Sequence, residues 1–197
     1  MRRRQVLLPT DARQKKRHIR LLELTSDAPC SYFAMDKPRT YGLVAGTASE
    51  DSPRTVNRDA EQVGDYLREQ EMMIDTVLCS SAARARQTLE LLKLDQLDPD
   101  RLEIADLFYN AGGDTLLNAV RDLPDDCHVA LLVGHAPAAP ALVHELTDVA
   151  TSSPEAVAAI ESRFPAAALA RLDFNGDWSQ LDSGSLATVR MPSSAGS

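Results

Sequence analysis

The chain has 197 residues, 44% hydrophobic but only 5% aromatic, enough for one domain with the sizeable aliphatic core that α/β folds use. Its formal net charge of -8 combines a basic first segment, residues 1–40 at +6, with an acidic remainder at -14, and an acidic body argues against nucleic-acid binding. Cys30, Cys79 and Cys127 lie far apart, show no paired metal-ligand spacing and leave one over in any disulfide scheme. No metal and no cofactor is therefore expected, and a cytoplasmic setting is favoured over secretion. No apolar run approaches the roughly 20 residues of a membrane helix, which argues against a membrane partner.

Residues 1–40 read as a basic extension with one apolar island, IRLLEL at 19–24. Met35 stands shortly before the regular pattern and is a candidate start for the domain, which is expected to span 41–192. YGLVA (41–45) predicts a first strand, and RDAEQVGDYLREQ (58–70) a helix with Ala60, Val63 and Leu67 on one stripe. MIDTVLCS (73–80) predicts a second strand, feeding a helix over 81–94 capped by Ser81. EIADLFY (103–109) predicts a third strand, TLLNAVRDL (115–123) a helix, and HVALLVGH (128–135) an apolar strand buried on both faces. Two helices follow, begun by Pro137 and Pro154 at first-turn positions. The stretch 168–190 alternates around Asn175-Gly176, predicting an antiparallel hairpin near the C-terminus. Residues 193–197 read as a flexible tail. Strands alternating with helices predict an α/β fold of three layers, a mostly parallel central sheet with helices on both faces.

In such sheets ligands gather where strand carboxyl ends meet helix amino-termini, which offer free N–H groups and partial positive charge. The second strand ends in Cys79-Ser80-Ser81, and Arg84 sits in the first turn of the next helix, a combination suited to an anion. The buried strand ends in Gly134-His135, just before Pro137. Adjacent parallel strands would unite the two turns on one edge. Arg86 reads as a surface residue. His128 begins its strand on the opposite edge and His144 lies inside a helix, so both read as structural or surface groups. Cys79 reads as a small core residue, with no Cys-x5-Arg loop after it. Glu103 and Asp106 read as surface carboxylates, and Trp178 as a side chain packed near the hairpin turn.

VLCSSAARARQT and LLVGHAP resemble the strand–Ser-turn–arginine-helix and second-histidine motifs of the histidine phosphatase superfamily, specifically its SixA-like phosphohistidine phosphatase branch. RDAEQVGDYLREQ, DLFYNAGGDTLLNAVRDLP and FPAAALARLDFNGDW fit that branch in order and spacing, so the resemblance covers roughly 41–192. It implies the phosphoglycerate mutase-like fold and a phosphorylated protein or small phosphate ester as partner. It implies that Arg84 and His135 are catalytic-pocket residues, and that Ser80 and Ser81 join them in binding phosphate.

The same resemblance implies a nucleophilic histidine, in an Arg-His-Gly or Arg-His-Ala turn ending the first strand, that attacks phosphorus. This chain has Ala45-Gly46-Thr47 there. The stretch 49–60 is also shorter than the family's loop, with Arg54 or Arg58 left to occupy some of its space. Arg17-His18 precedes its apolar island instead of following one, which puts it at the wrong end of any strand. Two readings follow: a phosphatase whose amino-terminal region is damaged or misread, or a pseudophosphatase that binds phosphate without turning it over.

Overall fold

The computed structural model describes the backbone of residues 39–45 and 53–192, with side chains from 57 to 192. The basic extension up to residue 38, with Cys30 and Arg17-His18, lies outside the described residues, as do Gly46 and the 193–197 tail. Six strands form one sheet in the order β3-β2-β4-β1-β5-β6. Four are parallel: β1 (Arg39–Ala45), β2 (Thr76–Ser80), β3 (Leu102–Ala105) and β4 (Val129–Gly134). β5 (Ala168–Phe174) runs antiparallel to β1, and β6 (Ser185–Arg190) antiparallel to β5. The mostly parallel sheet and the terminal antiparallel pair are those expected.

Alternating side chains on the central strands build a core on each face. Leu78, Ala130 and Leu132 point to one side, where α3 (Gly113–Arg121), α4 (Ala138–Leu146) and α5 (Pro154–Ser162) cover them. Val77, Cys79, Leu131 and Val133 point to the other, under α1 (Pro53–Glu69) and α2 (Ala83–Leu92). Ala60, Val63 and Leu67 form the predicted buried stripe of α1. That helix starts earlier than its apolar period suggests, so Arg54 and Arg58 belong to its first turns and not to a loop. Ser153 caps α5, its hydroxyl accepting from the Ala156 N–H at 3.3 Å, with Pro154 first in the helix.

Three local expectations are corrected. The third strand stops at Ala105, and Asp106–Phe108 forms a 3-10 turn. Continued alternation would have put Asp106 and Phe108 on one face; the turn exposes the carboxylate and buries the ring at 3% exposure. The hairpin is not closed by a two-residue Asn175-Gly176 turn, since β5 ends at Phe174 and β6 begins at Ser185. Trp178 in the intervening loop is buried, donates Nε1–H to the Cys127 carbonyl at 2.8 Å and tilts on Phe174 at 5.1 Å. Burial of that indole takes the chain on a longer path, although Gly176 still uses the positive φ of 123° that a glycine allows. Finally, Pro137 stands before α4 as its cap and not within its first turn.

Candidate active site

The sheet register aligns three strand ends on one edge. Ala45 of β1 pairs with Gly134 of β4, and Cys79 of β2 pairs with Val133 of β4. β4, which lies between β2 and β1 in the sheet, therefore delivers His135 to the edge where those two strands end. The turn that leaves β2, Ser80-Ser81-Ala82, opens into α2 with Arg84 in its first turn. Ser81 does not cap this helix as its residue type predicts. Ala82 occupies the cap with no side-chain hydrogen bond, and the Ser80 hydroxyl accepts from the Ala82 N–H at 3.3 Å. Ser80 is fully buried and shapes the turn, whereas Ser81 is half-buried and donates its N–H to the Ala105 carbonyl at 3.3 Å. The first amides of an uncapped helix lack intrahelical acceptors and carry its positive pole.

Arg84 and His135 are half-buried, and each holds one enclosed nitrogen, Nε of Arg84 and Nδ1 of His135, without a hydrogen-bond partner. Such groups carry a desolvation cost that a bound oxyanion would offset. Thr88 Oγ1 donates to the Arg84 carbonyl at 2.9 Å, tying down the first turn of α2. Burial holds the His135 imidazole below the usual histidine range, the Arg84 charge lowers it further, and the Tyr109 backbone acts in the opposite direction. His135 is therefore neutral at neutral pH in the free protein, able to donate one N–H.

Other candidates sit elsewhere. His128 lies at the amino end of β4, its backbone N–H donating to Asp75 Oδ2 at 2.8 Å, and His144 is exposed in the last turn of α4. Arg58, Arg86, Glu103 and Asp106 are exposed. Cys79 is fully buried, and burial pushes its thiol up to about 12, which disqualifies it as a thiolate nucleophile. No group of three or more His, Cys, Asp or Glu side chains among the described residues could hold a metal ion. Tyr109 was not singled out by the sequence, which reads it as the end of a strand. Its ring stands 6.1 Å from the His135 ring at an interplanar angle of 61°. An aromatic leaving a strand on the pocket edge, ahead of Asn110-Ala111-Gly112-Gly113, is the signal that marks it.

No family model matches the chain. An uncharacterised protein of Mycobacterium tuberculosis (strain ATCC 25618 / H37Rv) is 32% identical over 146 residues, which cover 73% of this chain and 90% of that protein. An uncharacterised Mycobacterium leprae protein is 31% identical over 143 residues, 72% of this chain and 85% of its own length. The structure of a Nakamurella multipartitia protein designated phosphohistidine phosphatase SixA matches with 31% identity and a TM-score of 0.66, covering 80% of this chain and 98% of that one. The chain belongs to the histidine phosphatase superfamily, in its SixA-like branch. Two more distant structures share the fold of this SixA-like chain. A protein histidine phosphatase SixA complexed with tungstate has 21% identity and a TM-score of 0.59, covering 79% of this chain and 99% of that one. Plasmodium falciparum phosphoglycerate mutase has 16% identity and a TM-score of 0.51, covering 80% and 91%.

Proposed function

We propose that the chain is a pseudophosphatase of the SixA-like branch: it holds the phosphoryl group of a phosphohistidine protein or small phosphate ester between Arg84 and His135, without turnover. The carrying observation is the pair of enclosed, unpartnered nitrogens, Arg84 Nε and His135 Nδ1, on one sheet edge. The Arg84 guanidinium and the amides opening α2 supply charge and donors for the non-bridging oxygens, and His135, taking up a proton beside the bound dianion, adds a further N–H. Family chemistry then needs an imidazole nitrogen to form a bond to phosphorus as the carrier departs. Ala45 and Gly46, where the Arg-His pair is expected, have no nucleophilic side chain. No helix among the described residues is long and apolar enough to cross a membrane. The free, buried thiol of Cys79 fits a reducing cytoplasmic compartment.

The test pairs calorimetric titration with inorganic phosphate and assays on p-nitrophenyl phosphate and a phosphohistidine peptide. Phosphate should bind without turnover, and Arg84→Ala should weaken it about tenfold or more, in keeping with a hydrogen bond to a charged group. Turnover abolished by His135→Ala would instead identify a working phosphatase. Failure of phosphate to bind would remove the pocket.

A further inference from the structure

Three of the five large hydrophobics most exposed among the described residues fall within six positions of one another: Ile104 at 45%, Leu107 at 64% and Tyr109 at 46%. Ile104 is on β3, an edge strand whose pairing within the sheet is with β2 alone. Leu107 is in the turn that buries Phe108. Tyr109 ends this run at the pocket itself, its ring set edgewise to His135 with centroids 6.1 Å apart. Ordinary core packing explains Phe108 but not a half-open tyrosine beside an imidazole.

We infer that Tyr109 reads the group that carries the phosphoryl moiety, favouring a flat, aromatic carrier such as the imidazole of phosphohistidine over an aliphatic phosphate ester. This rests on the Arg84–His135 phosphate pocket proposed above. With the phosphoryl oxygens against His135, the carrier ring lies within one bond of phosphorus and so just beyond His135. Aromatic pairs are favourable at centroid separations of about 4.5–7 Å in tilted or offset geometry. The Tyr109–His135 spacing falls in that range, so a second ring following the phosphate would meet the exposed part of the tyrosine at a similar distance. The methylene of a serine or sugar phosphate offers no π-face and less apolar area. The tyrosine is thus a specificity residue: it touches the carrier, while Arg84 and His135 touch the phosphate.

The experiment measures, by calorimetry on the full chain, binding of three probes: inorganic phosphate, a peptide bearing a non-hydrolysable phosphoryl-triazole mimic of phosphohistidine, and the same peptide with phosphoserine. The parent chain should prefer the mimic about threefold to tenfold, the range an aromatic pair supplies. Tyr109→Ala should bring that ratio near one while leaving inorganic phosphate within about twofold of the parent, and Tyr109→Phe should keep the preference because the ring, not the hydroxyl, makes it. An unchanged ratio in Tyr109→Ala overturns the inference, as does a parallel loss of inorganic phosphate, which would make the ring a prop for His135. If the parent binds phosphate but shows no preference, the inference alone fails. If it binds no phosphate, the pocket fails with it.

Discussion

Ala45, the last residue of β1, is the register partner of Gly134, the residue before His135. Two neighbouring parallel strands thus end side by side, one leading into the histidine and the other into Gly46. Reinstating the Arg-His pair there, as Ala45→Arg with Gly46→His, should convert binding into turnover. p-Nitrophenyl phosphate hydrolysis is expected to rise at least about tenfold over the parent, about 1.4 kcal/mol of barrier, with a base-stable, acid-labile phosphoenzyme trapped on quenching. A double variant that folds and binds phosphate yet stays inert would show that this turn does not occupy the nucleophile's place.

His135 gives the anion site a definite pH response. Burial, then Arg84, depresses its pKa from the ordinary 6.5, while a dianion seated beside it favours the imidazolium and raises the pKa. Binding then takes up a proton, so affinity increases as pH falls through the interval between the two values. Sulfate is a suitable probe because it keeps its charge there, and His135→Gln should flatten the profile. Stability runs the other way in the free protein. The unfolded chain has the higher pKa and binds more protons, so the contribution of neutral His135 is full above about pH 6.5 and is lost on acidification toward the folded value. Thermal unfolding from pH 7.5 to 5.5 should therefore fall more steeply in the parent than in His135→Gln; parallel curves would contradict the burial of a neutral imidazole.

The central strands were legible because their side chains are apolar on both faces: TVLCS and VALLVG read as buried strands whatever surrounds them. The edge that joins them, and with it the placing of Arg84 beside His135, followed from strand ends alone. What escaped depends on tertiary burial competing with local preference. Asn175-Gly176 is a strong turn signal, but enclosing Trp178 outweighs it. Phe108 needed the covered face that a straight third strand denied it. Tyr109 owes its place at the pocket to that same turn, so no periodicity in the sequence could locate it.

Cys79 offers a check on the boundary of the site. With its thiol pushed up to about 12 by burial, only about one molecule in ten thousand carries the thiolate at pH 8, given tenfold per pH unit. Peptide mapping after brief iodoacetamide treatment should find Cys79 unmodified in the folded chain and modified in denaturant, and Cys79→Ala should leave phosphate affinity within about twofold. Rapid alkylation of Cys79 under native conditions would return it to the list of nucleophiles.

Gly64 tests how the helix that carries Arg84 is held. A Cβ at this position of α1 would lie 2.4 Å from the Leu92 carbonyl oxygen and 2.9 Å from two further Leu92 backbone atoms. That backbone cannot yield cheaply. Arg68 Nη1 donates to the same carbonyl at 2.9 Å, and Lys93 just beyond it is fixed in the left-handed region at φ 51°. Alanine gains about 0.8–1.0 kcal/mol of helix propensity over glycine, but overpacking against backbone costs about 1–3 kcal/mol, and a 2.4 Å approach lies at the severe end. Gly64→Ala should therefore destabilise the chain by about 2 kcal/mol, lowering Tm by roughly 4–8 °C for a protein of this size. Because α1 can relieve the clash by levering α2 outward, phosphate affinity should fall as well, through displacement of Arg84. A variant with unchanged Tm and unchanged phosphate affinity would mean that the two helices separate freely and that their close approach does not position the arginine.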